Sequence, residues 1–421
     1  MANSTGNIID YVSRRTASFD ERPFNDVDAL VLASLAYQRM PAAVPTLETA
    51  LERHGTFAAR VRDLPSYRKR AGVSMLGALR ALLRAPFPAV TLADAYAALD
   101  GGDFAHDAGY TGLADPELTE ALFAGAAANP RFAPIRVGGV RERFSEEDQT
   151  QFAAMTMLLP DGTLAVAFRG TDTSFVGWKE DFNMAFQYPV PAQRSAAEYV
   201  AHVAGLWRGD LILLGHSKGG NLAVYAAMHA DDEVRARIRR VYSLDGPGFP
   251  DEVVAGEEYR AVADRVVKIV PETSIVGMIL ETPEPCRVVR SNEWGLMQHL
   301  AFSWRVRGDA FVEAPGVSAS SRYFNRSLNQ WLAGMSAEQR ERAVDALFAV
   351  LGASERKGLL GLRDVGPKQV AAMLGTFAGL SDEDRRHLVE AATLLVKASL
   401  SIGGDPGERE ERDDDSRDAE R

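Results

Sequence analysis

The sequence predicts an α/β fold, and three observations indicate this class. From residue 131 onward, apolar segments of strand character alternate with segments of helical spacing. A strand, a tight glycine turn and a helix follow one another around Ser217. The composition, 46% hydrophobic and 25% charged over 421 residues, is that of a globular protein with a sizeable core. Such alternation predicts a mostly parallel sheet covered on both faces.

The first 130 residues are predicted to form a helical N-terminal region without evident chemistry. Residues 1–20 are polar and are expected to be poorly ordered. The predicted helices cover 26–39, 46–54, 72–84 and 92–99, with an alanine-rich helical part through residue 128. A basic cluster lies between the second and third helices: Arg60, Arg62, Arg68, Lys69 and Arg70. We interpret it as a solvated face, with an anionic ligand site as the alternative.

Residues 131–317 are predicted to form the α/β core. The predicted strands cover 135–140, 151–159, 163–169, 211–214, 240–244, 265–270 and 286–290. The predicted helices between them cover 178–186, 192–206, 221–228 and 232–238. Asp161-Gly162 predicts a hairpin between the second and third strands.

A C-terminal helical region is predicted over 318–402 and a disordered charged tail over 403–421. The predicted helices of this region cover 318–334, 336–351, 367–378 and 381–401. The tail is dominated by Asp, Glu and Arg and offers no apolar surface to a core.

Composition excludes several classes of function. The formal net charge is −11 and no basic nucleic-acid face is evident, so we expect no nucleic-acid partner. The single cysteine, Cys286, excludes an intramolecular disulfide and a thiolate metal cluster, and no metal or organic cofactor is expected. No signal peptide pattern or membrane-spanning apolar run is present, which predicts a cytoplasmic protein. A transient lipid-surface contact and the oligomeric state stay open.

The residues Gly215-His216-Ser217-Lys218-Gly219-Gly220 carry the predicted chemistry. A serine at the apex of a strand-to-helix turn has an exposed hydroxyl, and a Cβ at the flanking glycines would collide with the neighbouring strand or helix. The positive end of the helix dipole faces any anion formed beside Ser217. The motif predicts the nucleophile elbow of a serine hydrolase, with a structural turn serine as the alternative.

A serine nucleophile needs a base, which an acid orients. His229 lies about three helical turns beyond Ser217, which is too far for this role. His299, in the loop after the last predicted strand, is therefore the predicted base, whereas His216 is expected to pack beside the site.

The predicted acid is Asp245, which directly follows the strand ending at Leu244. Open α/β sheets place their sites at the carboxyl ends of their strands. A turn aspartate that accepts a hydrogen bond from a loop amide is the alternative role of this residue. Glu272, after the next strand, is the alternative acid.

The predicted oxyanion hole consists of two backbone amides. One is that of Lys218, the residue after the nucleophile. The other comes from the strand-to-loop junction at Gly170-Thr171, where the Thr171 hydroxyl is a further candidate donor.

These residues resemble a known family. Ala167-Phe168-Arg169-Gly170-Thr171, followed by Trp178, Asp181 and the elbow, resembles the class 3 lipases, the fungal triacylglycerol lipase type. The chain is more similar still to an uncharacterised bacterial group of lipase-like proteins over most of residues 7–305. Its segments similar to that group are 25–30, 245–249, 274–277 and 298–299.

The resemblance implies an α/β-hydrolase fold with Ser217 as nucleophile, His299 as base and Thr171 at the oxyanion hole. It leaves the acid open, because class 3 lipases place their aspartate where this chain offers Glu272, and pancreatic-type lipases place it as at Asp245. Lys218 stands where leucine is common in lipases. Its cation is expected to reach solvent, with attraction of an anionic substrate as the alternative.

Together these inferences predict a lipase- or esterase-type enzyme that cleaves a carboxylic ester through a Ser-His-Asp triad and an acyl-enzyme. The predicted substrate is an acylglycerol, a lysophospholipid or a smaller acyl compound. The apolar segment 275–280 is expected to line an acyl pocket, to act as a lid or to be an ordinary buried helix. The alternatives are thioesterase or peptidase chemistry with the same triad, and a non-catalytic scaffold of the same fold.

Overall fold

A computed structural model of the protein has one large central sheet, in whose strands successive apolar side chains point to opposite faces. The structure describes residues 5–83, 87–99, 115–172, 174–184, 187–280, 282–336 and 338–342, together with residues 381, 382, 385, 386 and 389. The predicted helix at 367–378, most of those at 336–351 and 381–401, and the predicted disordered tail therefore lie outside the described residues.

In the described part of the chain the α-helices are α1 (Ile8–Arg14), α2 (Asp26–Leu35), α3 (Leu47–His54), α4 (Phe57–Ala71), α5 (Met75–Leu83), α6 (Leu92–Ala97), α7 (Pro116–Ala128), α8 (Phe175–Asn183), α9 (Pro191–Leu206), α10 (Lys218–Met228), α11 (Asp232–Arg237), α12 (Asp251–Val254), α13 (Glu257–Arg260) and α14 (Ala319–Ala333). The strands are β1 (Val90–Thr91), β2 (Arg136–Ser145), β3 (Thr150–Leu158), β4 (Leu164–Phe168), β5 (Leu211–His216), β6 (Ile238–Leu244), β7 (Val266–Pro271), β8 (Cys286–Val289), β9 (Val306–Arg307) and β10 (Ala310–Phe311).

Strands β1 to β8 form one sheet whose spatial order equals their order in the chain. Neighbours from β1 to β4 pair antiparallel, and neighbours from β4 to β8 pair parallel. The predicted α/β class and mostly parallel sheet are confirmed. The carboxyl ends of β4 to β8 meet at one edge of the sheet, where parallel sheets place their sites.

The hairpin predicted at Asp161-Gly162 is also confirmed. Leu158 of β3 faces Leu164 of β4, and Gly162 has a φ of 87°, in the left-handed region. Glycine adopts this φ without the steric cost of a Cβ.

Hydrophobic cores lie on both faces of the sheet. Alternate strand residues such as Ala165 and Ala167 contribute to a core shared with α1, α2, α6 and α7. The residues between them, such as Leu164 and Val166, contribute to a second core with α3, α9 and α10. Side chains that alternate between two buried faces explain why these strands are apolar throughout. The predicted division into domains at residues 130, 317 and 402 stays a prediction.

The structure overturns the expectation of poor order for residues 5–20, the part of the first 20 residues that it describes. Asn7 caps α1 by accepting hydrogen bonds from the N–H groups of Ile9 and Asp10. Ile8, Tyr11 and Val12 are buried, so the short apolar stripe of α1 is part of the core despite the polar surroundings.

One helix that was not predicted is present, and one strand is longer than predicted. Helix α4 occupies 57–71, a range without a predicted helix, because Pro65 interrupts the helical pattern there. This helix begins after the cap Thr56 and ends before Gly72, whose φ is 60°. Strand β2 extends to Ser145 rather than to residue 140, because a bulge between Gly138 and Arg141 lets its polar second half pair with β3. None of the helices in the described part of the chain combines the length and apolar character needed to cross a membrane.

Candidate active site

Ser217 lies at the apex of the turn between β5 and α10. Its φ of 58° and ψ of −135° are strained for a non-glycine residue. A Cβ on Gly215 would lie 2.2 Å from the carbonyl carbon of Gly219, and one on Gly219 would lie 2.2 Å from the Phe168 oxygen. The close approach of β4, β5 and α10 therefore requires glycine at both flanks of the serine, as the motif predicted.

His299 and Asp245 form a hydrogen-bonded pair at the same edge of the sheet. His299 Nδ1 lies 2.6 Å from Asp245 Oδ2, and both side chains are buried. The Ser217 N–H donates to the Leu244 oxygen at 2.9 Å, so the nucleophile candidate lies beside the residue that precedes Asp245. Nδ1 is occupied by the carboxylate, which leaves Nε2 of His299 as the nitrogen free for proton transfer.

The hydrogen bonds formed by the described residues do not include one between the Ser217 hydroxyl and His299. In enzymes without substrate this contact is often long and shortens when substrate binds. The position of Ser217 is instead fixed by its backbone, through its own N–H and through its carbonyl oxygen, which accepts from Gly220 N–H at 2.9 Å.

The Asp245 carboxylate is buried but hydrogen-bonded at both oxygens. Oδ1 accepts from the Ser274 hydroxyl at 2.5 Å, and Oδ2 binds His299. Burial alone would raise the pKa of Asp245, but the hydrogen bond and the electrostatic interaction with His299, together with the Ser274 hydroxyl, lower it below its ordinary value. Asp245 is therefore an anion suited to orient an imidazole.

The apolar segment 275–280 covers Asp245. A 3-10 helix, Val276–Met278, brings Gly277 so close that a Cβ there would lie 2.2 Å from Asp245 Oδ1. The side chains of Ile275, Val276 and Met278 are half-buried. The segment shields the acid from water on this side, and its predicted role in an acyl pocket or a lid stays a prediction.

Glu272 lies elsewhere. Its carboxylate is 3.8 Å from the Arg290 guanidinium, and its side chain keeps 20% exposure. The structure thus brings Asp245, and not Glu272, into hydrogen-bond contact with His299.

His216 supports the loop of the candidate base. Its Nε2 lies 2.7 Å from the His299 carbonyl oxygen, its Nδ1 lies 3.4 Å from the Tyr37 hydroxyl, and its ring centroid is 4.7 Å from that of His299. Burial lowers the pKa of His216 to about 3, so the ring is neutral and donates through Nε2. His216 packs beside the site, as its position in the motif predicted.

The expectation that the Lys218 cation reaches solvent is wrong. Only 1% of its side chain is exposed, and Nζ donates to the Gln151 carbonyl oxygen at 2.9 Å, to Gln151 Oε1 at 2.7 Å and to Glu180 Oε2 at 3.1 Å. Glu180 also accepts from the N–H groups of Gln151 and Ala192. Lys218 is directed inward because a buried carboxylate on α8 compensates its charge.

Thr171 lies in the loop after β4, beside the elbow. A Cβ on the preceding Gly170 would lie 3.1 Å from Ser217 Cβ and 2.1 Å from the Tyr37 hydroxyl, which shows how closely this loop approaches the serine. The Thr171 hydroxyl donates to Asp181 Oδ2. The donor that Thr171 can offer to an oxyanion in this arrangement is thus its backbone N–H.

Asp181 is the second carboxylate near Lys218, with Oδ1 at 3.6 Å from Nζ. Burial raises the pKa of Asp181 to about 6, although Lys218 and the Thr171 hydroxyl favour the ionised form. Two carboxylates therefore share one ammonium group beneath the candidate oxyanion loop.

Sequence reasoning missed Glu180, Gln151 and Tyr37. Only Glu180 left a signal, as an acid inside the helix predicted over 178–186. Among the residues that the structure describes, no group of three or more His, Cys, Asp or Glu side chains is placed to bind a metal ion.

Comparison with known proteins gives one match. No curated protein and no solved structure was found to match the chain. A family model described as Mbeg1-like matches residues 126–349, which is more than half of the 421 residues and includes the elbow, Asp245 and His299. The chain belongs to the Mbeg1-like family.

Proposed function

We propose that the protein is a serine hydrolase of the α/β-hydrolase type that cleaves a carboxylic ester. The observation that carries the proposal is the 2.6 Å contact between His299 Nδ1 and Asp245 Oδ2, at the sheet edge where Ser217 occupies a strained turn. A strained serine at the same sheet edge as an oriented, buried imidazole is an arrangement suited to nucleophilic catalysis.

In the proposed reaction Ser217 Oγ attacks the ester carbonyl while His299 Nε2 accepts its proton. Asp245 fixes the proton of His299 on Nδ1 and stabilises the imidazolium. His299 then protonates the leaving alcohol, and an acyl group remains on Ser217. Water, deprotonated by His299, hydrolyses this acyl-enzyme and restores the serine.

The oxyanion of the tetrahedral intermediate would be bound by the N–H groups of Lys218 and of the Gly170-Thr171 loop. The Lys218 N–H belongs to the first residue of α10, so it has no carbonyl partner within the helix. Buried Lys218 and Glu180 fix the position of this turn relative to β3 and α8. Removal of one such donor from an oxyanion hole costs about 10²- to 10³-fold in rate.

The likeness of the motifs to class 3 lipases favours an acylglycerol, a lysophospholipid or a smaller acyl ester as substrate. Thioesters and amides are attacked by the same machinery, so a substrate panel of matched esters, thioesters and amides distinguishes these classes. We expect the highest kcat/KM with the esters.

Covalent labelling with a fluorophosphonate tests the proposal, followed by intact mass and peptide mapping. We expect one adduct on Ser217 in the wild-type protein and none in Ser217→Ala or His299→Ala. A folded wild-type protein that gives no adduct, with or without added lipid, would contradict the proposal and favour the non-catalytic scaffold.

A further inference from the structure

Helices α4 and α5 expose a cluster of large apolar side chains. Phe57 and Val61 on α4 are 57% and 47% exposed, and Met75, Leu76 and Leu79 on α5 are 54%, 63% and 46% exposed. Exposed apolar groups that are clustered, rather than scattered singly, mark an interaction site.

The large apolar and the basic side chains that α4 exposes lie on one face of the helix. At 100° per residue, exposed Phe57, Val61, Arg62, Arg68 and Lys69 fall within a sector of about 140°. Asp63 falls outside this sector and is half-buried. The exposed face of α4 therefore combines apolar and basic side chains and contains no acid.

Helix α5 exposes a second apolar face beside α4. It packs against α4 after the turn at Gly72, and its exposed residues Met75, Leu76 and Leu79 span a sector of about 100°. We call these exposed residues of the two helices the α4–α5 surface: Phe57, Val61, Arg62, Arg68, Lys69, Met75, Leu76 and Leu79.

The charge of this region is opposite to that of the whole protein. Residues 53–84 contain eight Arg or Lys residues and a single acid, Asp63, whereas the chain as a whole has a net charge of −11. A local excess of positive charge on an acidic protein predicts a specific anionic partner, because the remaining surface repels anions.

We propose that the α4–α5 surface binds an anionic lipid bilayer. Amphipathic helices that lie in the plane of a membrane insert apolar side chains between the headgroups and place Lys and Arg beside the lipid phosphates. An anionic membrane complements both features of the surface. The acidic segment 403–421 would complement only the charge, because its only aliphatic side chains are the small ones of Pro406 and Ala419.

Vesicle flotation of the full-length protein tests this proposal. The vesicles contain phosphatidylcholine alone or equal parts of phosphatidylcholine and phosphatidylglycerol. We expect the protein to float with the mixed vesicles and not with the neutral ones, and high salt to release it. Arg62→Glu/Arg68→Glu/Lys69→Glu should weaken binding about 100-fold or more, since each basic side chain near an anionic surface contributes about fivefold. Phe57→Ser/Leu76→Ser should weaken it about tenfold or more.

Matched controls separate this surface from general effects. The charge control is Arg208→Glu/Arg239→Glu/Arg326→Glu, which changes the net charge by the same amount at other exposed sites. The apolar control is Phe144→Ser/Tyr323→Ser, which removes two other aromatic side chains that are 55% and 62% exposed. Both controls should bind like the wild type.

Failure of the wild type to float with the mixed vesicles would overturn the proposal, as would an equal loss in the controls. Sedimentation showing a dimer that Phe57→Ser/Leu76→Ser dissociates, without vesicle binding, would assign the surface to self-association instead.

Discussion

Two buried ion clusters in the described part of the chain differ in how completely their charges are matched. In the first, the Arg131 guanidinium donates to both oxygens of Asp28, through Nε at 2.9 Å and Nη2 at 2.5 Å. Its remaining donors bind backbone oxygens of residues 17, 18, 22 and 23, and the Tyr11 hydroxyl donates to Asp28. One cation is thus paired with one anion, and the cluster joins α1, α2 and the loop that follows α7.

In the second cluster, one cation, Lys218, lies beside two carboxylates, Glu180 and Asp181. Lys218 Nζ donates to Glu180, while Asp181 Oδ1 is buried without a hydrogen-bond partner among the described residues. Burial raises the pKa of Asp181, and the Thr171 hydroxyl donates to this carboxylate, so the imbalance lies beside the candidate oxyanion loop.

The two clusters show which part of this fold contains features that lower its stability. A fully paired cluster fixes architecture, whereas unpaired charge and a strained backbone concentrate around Ser217. Perturbed carboxylates and strain at one sheet edge are typical of a functional site. The two clusters should therefore respond differently to substitution.

The largest loss of stability is expected for Arg131→Met. It leaves Asp28 as an unpaired buried anion and removes every hydrogen bond of the guanidinium, so the free energy of unfolding should fall by about 3–5 kcal/mol. Urea unfolding measures the change, and Arg143→Met, which breaks the exposed pair with Asp148, is the control with a loss below about 1 kcal/mol. The rate of fluorophosphonate labelling per folded molecule should stay unchanged; a large fall would mean that this cluster also serves the site.

Lys218→Met should lower both stability and labelling. Glu180 loses its cation, which costs about 3 kcal/mol, and the first turn of α10 loses its connection to Gln151. We expect labelling of Ser217 to slow about tenfold or more, because small displacements of a reacting group are costly. Lys218→Met/Glu180→Gln should regain stability in urea unfolding. An unchanged labelling rate in a folded Lys218→Met protein would limit Lys218 to a purely structural role.

Local motifs were predictable from the sequence, and distant partners were not. The elbow follows from glycine spacing within six residues, and Asp245 follows from its place at a strand end. Burial of Lys218 depends on Glu180, which precedes it by 38 residues on another helix, so no local pattern indicates it. Helices α1 and α4 were missed because short or proline-containing helices depend on the tertiary packing of a few apolar residues.

Asp181→Asn should change the pH dependence of stability. The ordinary pKa of an aspartate, near 4, applies to the unfolded chain, whereas the pKa of Asp181 in the folded protein is raised to about 6. Between these pH values the folded protein keeps a proton that the unfolded chain has lost, so the stability of the wild type falls as the pH rises through this window. From pH 4 to pH 7, the stability of the wild type relative to Asp181→Asn should fall by about 2 kcal/mol. Urea unfolding at both pH values measures this difference. A difference that is the same at pH 4 and pH 7 would show that Asp181 ionises normally.

The central claim is that Asp245 orients His299 to activate Ser217. The most direct measurement compares the rates of fluorophosphonate labelling of Asp245→Asn, Glu272→Gln and the wild type at equal folded concentration. We expect Asp245→Asn to slow labelling by about 10³- to 10⁴-fold, because an amide favours the wrong tautomer of the imidazole. Glu272→Gln, which affects a partly exposed pair with Arg290, should label at the wild-type rate. Equal rates in Asp245→Asn and the wild type, or a selective loss in Glu272→Gln, would contradict the account.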